Sequence, residues 1–202
     1  MEPGLPDASE ILAFWAWFAA VANELEEDFL NEALQDELQA RLSCFGEVTW
    51  ELGPGVTAEN ALAISPDGDP DLVPTTRRIV AMAPDLPRWE FHSTRPAKAE
   101  AFEFSIRTSD ADEVAIDARS WRYVLFGYPD KTFDIVLEQG NLRDASEDER
   151  YTAAVVLLDA LLGEGKRLLL IGDIEPVVAL RPEVAVNASP ISVLAEHLGA
   201  RC

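Results

Sequence analysis

Between Pro6 and Gly46 the chain contains neither glycine nor proline. So long a stretch without a breaker, apolar at spacings of three and four, has few folded outcomes other than helix. Asp7 and Ser9 are both competent N-caps behind Pro6. The first half, Ile11-Leu-Ala-Phe-Trp-Ala-Trp-Phe18, is apolar on every side. The second half is amphipathic. Leu25, Phe29, Leu30, Ala33, Leu34, Leu38 and Leu42 form its apolar stripe. Glu24, Glu26, Glu27, Asp28, Glu32, Asp36 and Glu37 fill the other face. The run is long for one globular helix, and Asn23 can cap a second. The expectation is two helices joined near Ala22–Phe29.

After Gly46 the period changes from 3.6 to 2. Val48, Trp50 and Leu52 alternate with polar residues, and Ala61–Ser65 reads as a second strand. Ser65-Pro66-Asp67-Gly68 is a turn signal, with Pro66 at the second position and Gly68 at the fourth. A helix is expected over Leu72–Ala83, then short strands at Trp89–His92, Phe102–Ile106 and Val114–Ala118. Trp121–Tyr128 and Thr132–Glu138 form a hairpin around Pro129-Asp130-Lys131. Ser146 caps a helix with Ala153, Val156, Leu157, Ala160 and Leu161 as its core stripe, and Gly163 ends it. Leu168–Ile171 and Ile174–Val178 read as short strands. Ile191–Leu198 reads as a terminal helix behind Ser189 and Pro190.

Strands in series, with hairpins and helices at the ends, give an α+β fold. An N-terminal helical segment is followed by a mainly antiparallel sheet packed with helices. The chain is read as a single domain, 1–202, with residues 1–44 the helical segment and 45–202 the sheet-containing core. At 202 residues it can bury a full core without staples.

Acidic residues number 37 against 16 basic ones, for a net charge of -21. Residues 1–44 hold ten acids and only Arg41. Neutralising phosphates takes clustered Lys and Arg, so nucleic acid is excluded as a partner, and an anionic membrane surface with it. The longest apolar run, Ile11 to Ala22, falls short of the ~20 residues that span a bilayer. Glu2, Asp7 and Glu10 stand where a signal peptide carries basic residues. Cys44 and Cys202 form no CxxC pair, which points to a reducing compartment and no zinc ribbon. A cytoplasmic location is expected.

No HExxH, GxSxG, GxGxxG or phosphate-loop pattern is present, so no cofactor is expected. Asp67, Asp69 and Asp71 alternate like the start of a calcium loop, but Leu72 and Arg78 hold the positions where that loop needs Gly and Glu. A turn followed by a helix N-terminus, where Asp is at home, is the preferred reading. Glu90 and His92 point the same way from a short strand, as an acid–base pair does and as any wetted strand face does. Trp50-Glu51 before Gly53-Pro54-Gly55 reads as a core Trp beside a solvated acid. Cys44 reads as buried at an apolar helix end.

Several segments occur together: Phe14-Trp15-Ala-Trp17-Phe18, Trp50-Glu-Leu-Gly-Pro54 with Leu62-Ala-Ile-Ser65, Ala83-Pro84, Trp89-Glu-Phe91, and Leu157-Leu-Asp159-Ala-Leu-Leu-Gly163-Glu164 before Ile171-Gly-Asp-Ile174-Glu175. In these the chain resembles a group of small, acidic, uncharacterised bacterial proteins, a domain of unknown function. The resemblance implies a bacterial cytoplasmic α+β protein and no particular activity.

Three functional expectations follow. The first is a non-enzymatic protein-interaction module, specifically an acidic, immunity-like inhibitor of a basic protein partner. Its interaction residues are Trp15 and Trp17 from the aromatic run and Glu27, Glu32 and Asp36 from the acidic face. The second is an enzyme with a metal- or carboxylate-dependent site at Asp67–Asp71 or Glu90 and His92. The third is a self-associating scaffold, a homodimer built on the N-terminal helices.

Overall fold

The computed structural model describes residues 5–98, 101–108 and 113–201. Its fold is α+β, with helices packed on mixed sheets. The chain divides into two compact units, Met1–Arg95 and Pro96–Cys202.

In the first unit, helix α1 (Ala8–Glu27) starts at Asp7, whose carboxylate accepts the Ser9 N–H at 2.7 Å. Helix α2 (Glu32–Leu42) starts at Asn31, which accepts from the Leu34 N–H at 3.3 Å. The break between helices thus falls at Asp28–Asn31, and Asn23 lies within α1 instead of capping a second helix. Ile11, Phe14, Trp15, Phe18, Ala22 and Leu25 form the buried stripe of α1. Leu38 and Leu42 are buried on α2.

These helices share a core with a three-stranded sheet of order β1-β2-β3: β1 (Thr49–Pro54), β2 (Asn60–Ser65) and β3 (Trp89–His92). β1 and β2 are antiparallel, Trp50 opposite Ile64 and Leu52 opposite Leu62. β2 and β3 are parallel. A parallel pair needs a crossover from one end of the sheet to the other. Helix α3 (Val73–Val80), entered through a 3-10 turn at Pro70–Leu72, lies in that crossover. The turn before it is displaced by one residue from expectation. The Asp69 N–H donates to the Pro66 carbonyl at 3.0 Å, so Asp67 and Gly68 are its central pair, at φ 51° and 84°. Two successive positive φ angles define a primed turn, which Asp-Gly favours over Pro-Asp.

The aromatic run of α1 is absorbed by this core. Trp15 lies 4.7 Å from Phe91, Phe18 lies 5.0 Å from Trp89, and Phe14 lies 6.1 Å from Phe45, all edge to face. Three indole N–H groups tie elements together: Trp15 to the Ile79 carbonyl at 2.8 Å, Trp50 to Gln39 at 2.9 Å and Trp89 to Glu26 at 2.8 Å. A buried indole needs such a partner, and these three fix α1 against α3, β1 against α2 and β3 against α1.

The second unit holds a ribbon of β4 (Glu103–Arg107) and β5 (Glu113–Asp117), and a four-stranded sheet of order β8-β7-β6-β9. The expected hairpin forms as β6 (Arg122–Gly127) and β7 (Phe133–Glu138), with Phe133, Ile135 and Leu137 buried on one face. β8 (Ile171–Val177) runs parallel to β7, and the two-residue β9 (Ser189–Pro190) closes the other edge. Helices α4 (Glu147–Leu162) and α5 (Glu164–Leu170) make the crossover. Ser146 caps α4 in a full capping box with Glu149. Ala153 and Leu157 are buried as expected. The stripe continues through Ala154, Leu158 and Leu162, with Val156, Ala160 and Leu161 only half-buried, because the sheet lies a fraction of a turn round the helix.

The strand expected at Leu168–Ile171 is helix until Leu170. Glu164, Arg167 and Leu170 are buried at a spacing of three, while Leu169 is exposed. The Arg167 guanidinium meets Asp159 of α4 at 2.6 Å. A short apolar run does not distinguish the two states by period alone, and this contact favours the helical one. A short α6 (Pro182–Ala185) and α7 (Leu194–Arg201) complete the unit. Pro190 and not Ser189 precedes the terminal helical turn, without a side-chain cap.

Candidate functional site

The α1–α2 corner combines tight local order with an apolar side chain turned to solvent. The Asp28 carboxylate accepts the Leu30 N–H at 2.9 Å, and the Asn31 N–H donates to the Asp28 carbonyl at 3.2 Å. Gln35 donates to the Phe29 carbonyl at 2.6 Å. The backbone of the corner is therefore held at several points. Yet Leu30 at its tip is 80% exposed.

Carboxylates surround this position in sequence. Glu24 and Glu27 end α1, and Glu32 and Asp36 open α2; all four are exposed and form no ion pair among the described residues. The last turn of α1 contains no basic residue. Acids there oppose the negative end of the helix dipole, at a cost of about 0.3–1 kcal/mol each. A cation placed against them would offset that cost.

The sequence-derived interaction residues divide on this geometry. Glu27, Glu32 and Asp36 are exposed at the corner. Trp15 is 2% exposed, inside the core, and belongs to no surface. Trp17 is half-buried, and the Arg41 guanidinium sits 4.7 Å from its ring centroid while also pairing with Glu37. Leu30 carried only a helical apolar-stripe signal in sequence. Its position just outside both helices removes it from that stripe.

The Asp67 and Asp69 carboxylates are used locally, and Asp71 takes part through its backbone N–H. The Asp67 carboxylate takes Arg95 at 2.9 Å and the Thr49 hydroxyl at 3.3 Å. Asp69 caps the Asp71 N–H at 2.8 Å. Among the described residues no three His, Cys, Asp or Glu side chains are grouped to hold a metal.

Glu90 and His92 do meet, at 3.0 Å. The Glu90 carboxylate, 11% exposed, also accepts the N–H groups of Val56 at 2.6 Å, Thr57 at 2.8 Å and Ala58 at 3.0 Å, and the Thr57 hydroxyl. Burial alone would raise its pKa. The hydrogen bonds from Thr57, Val56 and His92 outweigh burial and hold the carboxyl far below the usual carboxylate range. This carboxylate clamps the β1–β2 loop and is a poor proton carrier near neutrality. Trp50 is half-buried against Gln39. Cys44 is exposed, not buried, at the end of the α2 segment.

No helix of the described residues is long and apolar enough to cross a membrane. The chain matches no protein family, curated protein or solved structure.

Proposed function

We propose that the chain is a non-enzymatic protein-interaction module that docks its α1–α2 corner on a basic protein, as an immunity-like inhibitor does. The observation that carries this reading is Leu30, 80% exposed on an ordered turn and bracketed in sequence by Glu24, Glu27, Glu32 and Asp36, which form no ion pair among the described residues. Burying one leucine contributes about 1.5–3 kcal/mol. The surrounding carboxylates steer a cationic surface and raise the association rate. Placement in the bacterial cytoplasm belongs to the same reading, as does the resemblance to small acidic bacterial proteins.

The test is capture from lysate by the tagged chain, compared with Leu30→Ser and with a Glu27→Lys/Glu32→Lys variant. One stoichiometric basic partner is expected, held by the wild type at low salt and lost from both variants. A partner retained equally by both variants, or capture indifferent to salt, would refute the proposal. Light scattering of the purified chain checks the scaffold reading, which requires a dimer that deletion of residues 1–44 abolishes.

A further inference from the structure

A cleft of about 330 Å³ opens in the second unit beside the β4–β5 ribbon and the loop leading into α4. Its apolar wall is Ile106, Val114, Leu142 and Ala145, and Asp144 and Glu149 supply two carboxylates. Among the described residues no lysine or arginine lines it.

The wall is fixed before anything enters. Asn141, also in the lining, accepts the Trp121 indole N–H at 2.7 Å and donates to the Asp117 carbonyl at 2.9 Å. The Leu142 N–H donates to the Gln139 carbonyl at 2.9 Å. Preorganisation of this kind removes an ordering cost from binding. The volume lies at the lower end of the small-ligand range. At ~30 Å³ for each water-sized group, it holds on the order of ten non-hydrogen atoms.

The charge balance selects the ligand's sign. The N-terminus of α4 contributes roughly half a positive charge. Against it stand Asp144 and Glu149 in the lining, and Glu147 and Asp148 in the same helical turn. Glu149 spends one oxygen on the Ser146 N–H at 2.7 Å, and Asp144 makes no ion pair among the described residues. Of the nearest cations in sequence, Arg107 and Arg143 are not among the described lining residues, and Arg150 gives a guanidinium N–H to the Ala145 carbonyl. Within the described lining the carboxylates face no cationic side chain, and a cation is favoured.

We propose that this cleft binds a small amine, an alkyl- or aralkylammonium whose hydrocarbon lies against Ile106, Val114 and Leu142 and whose charge meets Asp144 and Glu149. The site belongs to the second unit and does not depend on the α1–α2 corner.

The test is an amide NMR titration of the full chain with phenethylammonium chloride and, separately, with neutral 2-phenylethanol. The amine is expected to give saturable shifts centred on Val114, Leu142, Asp144 and Ala145, with the alcohol at least fivefold weaker. Asp144→Asn with Glu149→Gln removes two screened ion pairs and should weaken amine binding about tenfold, with unchanged far-UV circular dichroism. Glutamine at 149 can still reach the Ser146 N–H. Ala145→Phe fills the cleft and should abolish saturation; if that variant does not fold, the double variant decides. Equal affinity for amine and alcohol overturns the proposal. So do shifts scattered over acidic residues elsewhere, or no saturation up to about 20 mM.

Discussion

At the scale of the residue, Glu90 shows how a sequence pattern can be right about proximity and silent about role. Its alternation with His92 on a strand places both side chains on one face, and they do touch. The donors that occupy its carboxylate, Val56, Thr57 and Ala58, lie more than thirty positions earlier, beyond the reach of local spacing. Glu90→Gln should destabilise the fold by about 1–3 kcal/mol at pH 7, read from urea melts, because three loop N–H groups lose a charged acceptor. The folded carboxyl titrates below its unfolded value, so its contribution is complete above the ordinary glutamate range. It is lost as pH falls through the folded value. The gap between wild type and variant should therefore shrink in acid; a gap that widened would refute the clamp. Leu30→Ser, by contrast, should change stability by less than about 0.5 kcal/mol, since the side chain already faces water.

At the scale of the element, helices with strong caps were legible and strand direction was not. Ser146 with Glu149 spells a capping box, and the helix begins there. Ser146→Ala should cost about 1 kcal/mol in thermal or chemical denaturation. Gly163, at φ 80° and ψ 141°, separates α4 from α5 in a conformation that suits glycine. Gly163→Ala should cost about 1–3 kcal/mol in the same measurement, and no loss would mean the turn relaxes freely. The two parallel pairs, β2 with β3 and β7 with β8, each flank a helical segment. That interposed helix was the available signal against a wholly antiparallel sheet. The α5 segment was misread as strand because Leu168–Ile171 is too short to show a period. Its helical state also depends on Asp159, a residue of another element.

At the scale of the whole molecule, a net charge of -21 sets the physical behaviour. Self-repulsion works against the compact state, so the melting temperature should rise as sodium chloride goes from about 10 to 200 mM, until screening is complete. Binding to a basic partner should weaken over the same range, and opposite trends in stability and affinity would identify both effects as electrostatic. The sequence by itself determined the α+β class, the two N-terminal helices, the β6–β7 hairpin and the acidic bias. Each follows from local period, caps or composition, which a single chain segment carries. Only the tertiary structure decided that Trp15 is core, that Leu30 is surface, that Glu90 is a clamp and that two strand pairs are parallel. Those outcomes depend on which distant segments meet, and packing and hydrogen-bond satisfaction between elements choose that, not the pattern within any one of them.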